Sequence, residues 1–428
     1  MEKYGASVVL QTTGRGWGLD LRGTNQEFGR PYNRRIVLET IRLAAPITRG
    51  EIAQRVGLTV QTVSTITREL ELQGFVHGVR ESRKGRGHPP TTLTLRPGGG
   101  FAIGLHVTPI GVEAALIDLG GGVIVRRGRA VAPTDPDAAI ALCGELVRDI
   151  RSLRPDGRML GIGMAIPGPI GVDSMSFIGP TTLQGWHGVR IAELLEAATG
   201  LPAFVGVDLA AAALGERLYG TGRAFQEFYY LYFGVGLGGT MVHEGMALRG
   251  ARGNAGEIGH LPLVPGGDLC PCGNRGCLER YLSLDALDRR LRSTDPGTDI
   301  EGAVAAGSSI VDGWIDEVAP LLRTAIVTIE NLFDPETILI GGLVPDALLS
   351  RLVAAAEPLA HSVAEQVGRT TPRLTLTRGG HEAVLRGAAA LAVSGVLSPR
   401  LGSLFAGDDE RSFRDPIMTG TGKPEVAA

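Results

Sequence analysis

Three of the four cysteines in this 428-residue sequence, Cys270, Cys272 and Cys277, fall within eight residues, and His260 precedes them by ten positions. Thiolates and an imidazole are good zinc donors, and a Cys3His set completes a tetrahedron with no position left for a reactive water. Gly266, Gly267, Gly273 and Gly276 are interleaved with these residues. Glycine permits the tight turns that would bring three sulfurs to one point. The stretch HLPLVPGGDLCPCGNRGCLE therefore reads as a zinc knuckle holding a structural Zn2+ through His260, Cys270, Cys272 and Cys277. The plainer alternative is three reduced thiols in a glycine-rich loop. Cys143 stands alone in a helix-like stretch, so a disulfide scaffold is not expected.

A second cluster is suited to reading nucleic acid. Gln61, Thr62, Thr65 and Arg68 recur at helical spacing behind Thr59, and no acidic residue intervenes before Glu69. Short donors and acceptors with one cation are the groups that reach base edges in the major groove. Elements that would position them lie on either side. Ile36, Val37, Thr40, Ile41 and Leu43 form an apolar helical stripe. Thr48 with Glu51 is a capping box opening a second helix that ends near Val56–Gly57. Thr59 caps a third helix, with Val63, Ile66 and Leu70 facing inward and Gly74 stopping it. Helix, short turn with Gly57 and helix is the helix-turn-helix pattern. FVHGVRESRKGRGHPPTTLTL then reads as two strands around a basic loop, a wing whose Lys84 and Arg86 would lie along the DNA backbone or minor groove. The competing reading is a three-helix packing module with a solvated basic loop.

Charge supports the DNA reading. Residues 30–100 hold twelve Arg and Lys against five Glu, a net of +7, in a chain whose total is −3, so the remainder carries about −10. A basic segment on an acidic body suggests a nucleic-acid module attached to something else. Residues 1–29 show no sustained period and read as a flexible arm. Arg22, Arg30, Arg34 and Arg35 could touch phosphate, although a solvated segment is the commoner outcome. No signal peptide is evident at MEKYGASVVL and no uncharged apolar run reaches membrane-spanning length, so a cytoplasmic protein without a membrane partner is expected.

Beyond a Pro97–Gly100 linker the pattern changes to α/β. FAIGLHV, VEAALIDL and GVIVRRGRAV read as consecutive strands, followed by a helix over 137–154 and the strand MLGIGMAIPG. A strand over 204–207 leads into a helix over 209–219. Strands YYLYFGV and GTMVHEG flank a glycine loop, and a mainly helical stretch runs through Leu332. TILIGG and RLTLTRG read as late strands before a closing helix over 382–393. Periodicity alone gives an α/β body in two halves.

GNAGEIGH followed by CPCGNRGCLE resembles the signature of the ROK family (repressors, open reading frames and kinases), and the likeness extends from about residue 30 to about 398. The resemblance implies an N-terminal winged helix-turn-helix domain over 30–97 and a two-lobed actin-like, ribonuclease H-like sugar-kinase fold over 101–398. A polar tail over 399–428 is expected to be disordered. The resemblance places Glu257, His260 and Glu279 at a sugar site, with Asp208 matching the family's catalytic aspartate; an N-cap role for Asp208 is compatible. Gly168 and Thr182 would line the pocket, Thr182 standing where the family often has Asn. Carboxylates and imidazoles suit a ligand with several hydroxyls, and zinc on one nitrogen of His260 would fix the other for the sugar. Trp186 is expected in the core.

The nucleotide side departs from the family. His106-Val107-Thr108-Pro109-Ile110 replaces an Asp-x-Gly-x-Thr phosphate motif, and Val207 and Ala210 replace two asparagines beside Asp208. Val235 replaces a threonine in the second glycine loop, Gly234–Gly239, and ILIGG resembles an adenosine-side loop. His106 is expected to be a satisfied core residue. These departures point to a kinase-like sugar sensor without catalytic residues, a transcriptional regulator of carbohydrate genes and most simply a repressor. It would bind a double-stranded operator as a homodimer or homotetramer and respond to a monosaccharide or sugar derivative. The rival is an ATP-dependent sugar kinase or a bifunctional kinase-regulator.

Overall fold

The computed structural model describes residues 29–80, 91–130, 135–154, 157–168, 183, 185–186, 188–243, 245–251, 254–365, 368–377, 379 and 382–397. The expected N-terminal arm and C-terminal tail lie almost entirely outside these residues, as do Lys84, Arg86 and Thr182.

The first unit comprises α1 (Gly29–Ala44), β1 (Ile47–Thr48), α2 (Arg49–Val56), α3 (Val60–Leu72), β2 (Val76–Arg80) and β3 (Thr91–Leu95). Local signals set its boundaries. The Thr48 side chain accepts from the Glu51 amide while Glu51 reaches back to the Thr48 amide, so the capping box is complete. Gly57 ends α2 in the left-handed region at φ 66°, which a side chain would strain. Thr59 caps α3 by accepting from the Thr62 amide. The strands form a three-stranded sheet in the order β1-β3-β2, all antiparallel. This is a winged helix-turn-helix, with the tip of its wing beyond the described residues.

The body repeats one arrangement twice. Its first lobe contains β4 (Phe101–Thr108), β5 (Gly111–Asp118), β6 (Val123–Arg129), α4 (Pro136–Ser152), β7 (Met159–Ile166), α5 (Ile191–Thr199) and β8 (Ala203–Val207). The chain crosses through α6 (Asp208–Tyr219) into β9 (Phe228–Phe233), β10 (Leu237–His243) and β11 (Met246–Ala247). The second lobe continues through α7 (Leu284–Thr294), α8 (Ile300–Ala305), α9 (Ser309–Phe333), β12 (Thr337–Gly342), α10 (Asp346–Ala356) and β13 (Leu374–Leu376), and α11 (Glu382–Leu397) returns to the first. One sheet has the order β6-β5-β4-β7-β8 and the other β11-β10-β9-β12-β13. In each, three strands meander antiparallel and two add in parallel. This duplication is the two-lobed kinase-like architecture.

Two helices join the lobes, and glycine lets them do so. A Cβ on Gly387 of α11 would sit 1.8 Å from the Ala211 carbonyl oxygen of α6. Gly104 and Gly163 give α11 the same clearance over the first sheet. The far end of α11 enters the core of the DNA-binding unit, where Val393, Val396 and Leu397 share one apolar cluster with Ile36, Ile41, Leu70 and Phe75. The expected Pro97–Gly100 linker is instead a packed joint. It forms a short 3-10 turn, and a Cβ on Gly99 would lie 2.4 Å from the Gly74 carbonyl oxygen. Arg158 of the body donates to the Gln73 carbonyl at 3.0 Å and stacks over Phe75. Apolar burial and these bonds seat the winged helix on the first lobe.

Candidate functional site

Asp208 begins α6 at the end of β8, so the strand-to-helix switch delivers its carboxylate to the space between the lobes. One oxygen accepts from the Leu209 amide at 2.7 Å, and the other faces Nε2 of His106 at 3.9 Å. From the second lobe, the short 3-10 turn Ile258–His260 presents Glu257 and His260, and the turn Leu278–Arg280 presents Glu279. Glu279 accepts from the Leu237 amide at 2.9 Å, which fixes it against the start of β10. His260 Nε2 lies 3.8 Å from Glu257. Gly168 adjoins both elements: a Cβ there would lie 3.0 Å from Val207 and 3.9 Å from Glu257.

Burial raises the Glu257 carboxyl above the ordinary carboxylate range. His260 pulls it down, and the negative charges of Glu279 and Asp208 push it further up. Four of the expected site residues are thus brought into one electrostatic neighbourhood. Three carboxylates and an imidazole around one cleft can accept from several hydroxyls, and a protonated Glu257 can donate to one oxygen.

Behind this wall, His260, Cys270, Cys272 and Cys277 point their donor atoms to one place, all within 4.8 Å of one another. Gly273 at φ 90° and Gly276 at φ 73° make the turns, and the Val264 carbonyl would collide with a Cβ on Gly276. The Cys272 and Cys277 sulfurs are 3.6 Å apart, as are the Cys270 sulfur and His260 Nδ1. A tetrahedron with bonds of about 2.3 Å to sulfur and 2.0 Å to nitrogen requires separations of roughly 3.5–3.8 Å. The donor set therefore fits a metal ion. In the bare protein, burial and the neighbouring sulfurs push the Cys277 thiol up to about 12, a cost that a dication would reverse by binding thiolate. The imidazole divides its work: Nδ1 faces the sulfurs and Nε2 faces Glu257.

The loops expected on the nucleotide side are built differently from the carboxylate cluster. The turn between β4 and β5 is closed by the Thr108 hydroxyl on the Gly111 carbonyl, with Ile110 exposed. Gly234–Gly239 forms the β9–β10 hairpin, whose Gly234 and Val235 carbonyls accept from the Leu284 and Asp285 amides at the start of α7. That loop braces the zinc-knuckle side of the lobe. His106 corrects the expectation of a satisfied core residue. It is 3 % exposed, as a core residue would be, but its Nε2 has no hydrogen-bond partner among the described residues and is directed at Asp208. Its sequence neighbours carry no sign of this. Trp186 is in the core, as expected.

On the DNA-binding unit, Gln61, Thr65 and Arg68 are exposed along α3. Thr59 is exposed but engaged as the cap, and its hydroxyl also bonds that of half-buried Thr62 at 2.8 Å. Two of the arginines considered for phosphate contact are buried instead: Arg34 pairs with Glu69 at 2.8 Å, and Arg35 is 7 % exposed. Arg30 also pairs with Glu69.

One connection was not visible in the sequence. From Asp208, α6 runs about 18 Å at 1.5 Å per residue and ends beside α1. There Arg217 is buried and Tyr219 half-buried, both within electrostatic reach of the Glu39–Arg42 ion pair of the DNA-binding unit.

Comparison with known proteins agrees with this architecture. The chain matches the ROK family over residues 103–394 and a winged helix-turn-helix DNA-binding family over residues 31–77. It is 30 % identical over 339 residues to a xylose repressor of Caldicellulosiruptor bescii, covering 74 % of this chain and 84 % of that protein. Among solved structures it is similar to a ROK family transcriptional regulator homologous to the Escherichia coli MLC protein. That match has a TM-score of 0.67 at 26 % identity and covers 87 % of this chain and 98 % of that one. It is also similar to a ROK family glucokinase from Streptomyces griseus in complex with glucose and AMPPNP, with a TM-score of 0.58 at 26 % identity, covering 69 % of this chain and all of that one.

Proposed function

Because the chain belongs to the ROK family, we propose that it is a sugar-responsive transcriptional repressor whose kinase-like body senses its effector without phosphorylating it. The observation carrying this reading is the run of α6 from Asp208 to the Glu39–Arg42 pair of the DNA-binding unit. Sugar held by Asp208 from one lobe and by Glu257, His260 and Glu279 from the other would draw the lobes together. Closure would shift α6 and α11 against each other; α11 packs into the core of the winged helix, and the far end of α6 lies within electrostatic reach of α1. Operator half-sites demand a fixed separation of paired recognition helices, so a small rotation of each winged helix loses DNA contacts. A difference of about 1–3 kcal/mol between the two states gives about 5–150-fold coupling.

Gln61, Thr65 and Arg68 on α3, with Lys84 and Arg86 of the wing, are the proposed DNA contacts, and a homodimer is the minimal operator-binding form. Zn2+ is the proposed ion for the Cys3His set. Its role is structural, because four protein ligands leave no position for a reactive water. At the nucleotide side, an imidazole at position 106 supplies no carboxylate to hold a metal-nucleotide, which supports sensing over phosphoryl transfer.

The test is fluorescence anisotropy on DNA upstream of the protein's own coding region, at fixed salt, titrated with monosaccharides and their phosphates with and without Mg-ATP. Tight binding released by one sugar without ATP is the expected result. Absence of DNA binding, together with sugar-dependent ATP consumption, would replace the regulator with a kinase.

A further inference from the structure

A cavity of about 930 Å3 opens between β8, α6, the start of α5 and the β10–β11 hairpin. It meets the carboxylate cluster at Glu257; Val207, Ala210, Leu214, Met246 and Leu248 give it an aliphatic wall, while Arg190, Glu193, Thr240, His243, Arg249 and Asn254 add polar groups to the rest of its lining. Two observations bear on its occupant. The first is size: cavities of roughly 300–1,000 Å3 enclose drug-sized ligands, so with the lobes as they stand here there is room for more than a bare monosaccharide of about a dozen non-hydrogen atoms. The second is chemistry. Val207 and Ala210 flank Asp208 at the two positions where the resemblance to ROK kinases anticipates asparagine. A sugar hydroxyl turned towards either would lose its water without gaining a partner, which is unfavourable. An apolar group placed there gains by leaving water.

We propose that the effector is a sugar derivative bearing an apolar substituent, such as an aryl or alkyl glycoside. Its ring is held at Asp208, Glu257, His260 and Glu279, and its substituent fills the cavity against Val207, Ala210, Leu214 and Leu248. This inference rests on the sugar-sensor reading and narrows it. The group that discriminates is the one on the sugar, and its apolar surface is what the Val207, Ala210 and Leu214 side of the cavity favours.

The experiment is calorimetric titration of the full-length, zinc-loaded protein with matched phenyl and methyl glycosides, both anomers, of D-xylose, D-glucose and N-acetyl-D-glucosamine, alongside the free sugars. About 100 Å2 of additional buried ring, at about 25 cal/mol per Å2, corresponds to about tenfold to hundredfold tighter binding. The phenyl glycoside of the preferred sugar is therefore expected to bind at least about tenfold tighter than its methyl partner. In a Val207→Asn/Ala210→Asn variant with unchanged zinc content, that ratio should fall below about threefold. Equal binding of phenyl and methyl forms by the native protein, or tighter binding of the free sugar, overturns the inference and leaves the sensor standing. Binding of none of these compounds, with no sugar releasing DNA, overturns both. The native-protein ratio decides the matter even if the double variant does not fold.

Discussion

The joint between α6 and α1 can be tested by removing one charge, Glu39→Gln. Glu39 accepts from Arg42 Nε at 2.7 Å, and both side chains are buried, at 8 % and 5 % exposure. Arg217 of α6 is buried nearby. Burial lowers its guanidinium below the ordinary value, the Arg42 charge lowers it further, and Glu39 works in the opposite direction. Glu39 therefore pairs directly with Arg42 and offsets part of the Arg217 charge from a distance. Breaking a buried pair costs about 3–5 kcal/mol, and Gln retains an acceptor for one of the bonds, so a loss of about 2–3 kcal/mol is expected here. At about 1.4 kcal/mol per factor of ten, that is about 30–150-fold in the equilibrium holding α1 in place. Hydrogen exchange reads this directly, because α1 amides should lose that much protection if they exchange through local opening. A Glu39→Leu/Arg42→Met variant separates the charge effect from packing: it removes both members of the pair and should recover protection to within about tenfold of the native protein. Less than a threefold loss in Glu39→Gln, or a double variant as unprotected as the single one, would refute the claim that this buried pair helps to hold α1 in place.

Two further outcomes follow from the site and the recognition helix. Cys272→Ser should abolish the one zinc per chain measured by atomic absorption and weaken sugar release of DNA, since structural zinc contributes on the order of 10 kcal/mol to local order; an unchanged melting curve with full sugar response would exclude the zinc assignment. Arg68→Ala on the exposed face of α3 should weaken operator binding by about 1–3 kcal/mol. A reduced salt slope with uniform weakening across operator variants would place Arg68 on phosphate, whereas relaxed preference at one base pair would place it on a base edge.

Much of the fold could be read from local signals because local chemistry sets its boundaries. The Thr48–Glu51 capping box, the Thr59 cap and the Gly57 stop lie where the residue types require them. The strands TILIGG and FAIGLHV are continuous apolar runs, as strands covered on both faces must be. The elements that escaped were α5 and α10, amphipathic helices beside stronger strand signals, and the packed turn at Pro97–Gly99. A run of Pro and Gly has the composition of a linker. Gly99 serves instead to let the backbone of Gly74 approach, and that requirement comes from residues distant in sequence. Gly104, Gly163 and Gly387 share this logic, each clearing a helix that the sequence places far away. The Arg34–Glu69 and Glu39–Arg42 pairs likewise turned expected surface charge into buried charge, since helix α1 packs its arginine-bearing face inward.

At the site, the Cys3His cluster was legible because four donors in a short stretch leave few alternatives, while His106 was not, because its meaning depends on Asp208, 102 residues later. An aspartate at position 106 would face Asp208 across a few ångströms, and two ionised carboxylates that close require a cation between them or a shared proton. A metal-nucleotide supplies that cation in a kinase. An imidazole in the same place needs none, since its N–H can share a donor–acceptor pair with Asp208 through a single bridging hydroxyl across the observed 3.9 Å. The replacement therefore leaves Asp208 able to hold a sugar hydroxyl while removing the electrostatic reason for Mg-ATP to bind beside it. One residue, Asp208, thus links the altered turn at His106 to the proposed sugar site, and α6 runs from it towards the DNA-binding unit.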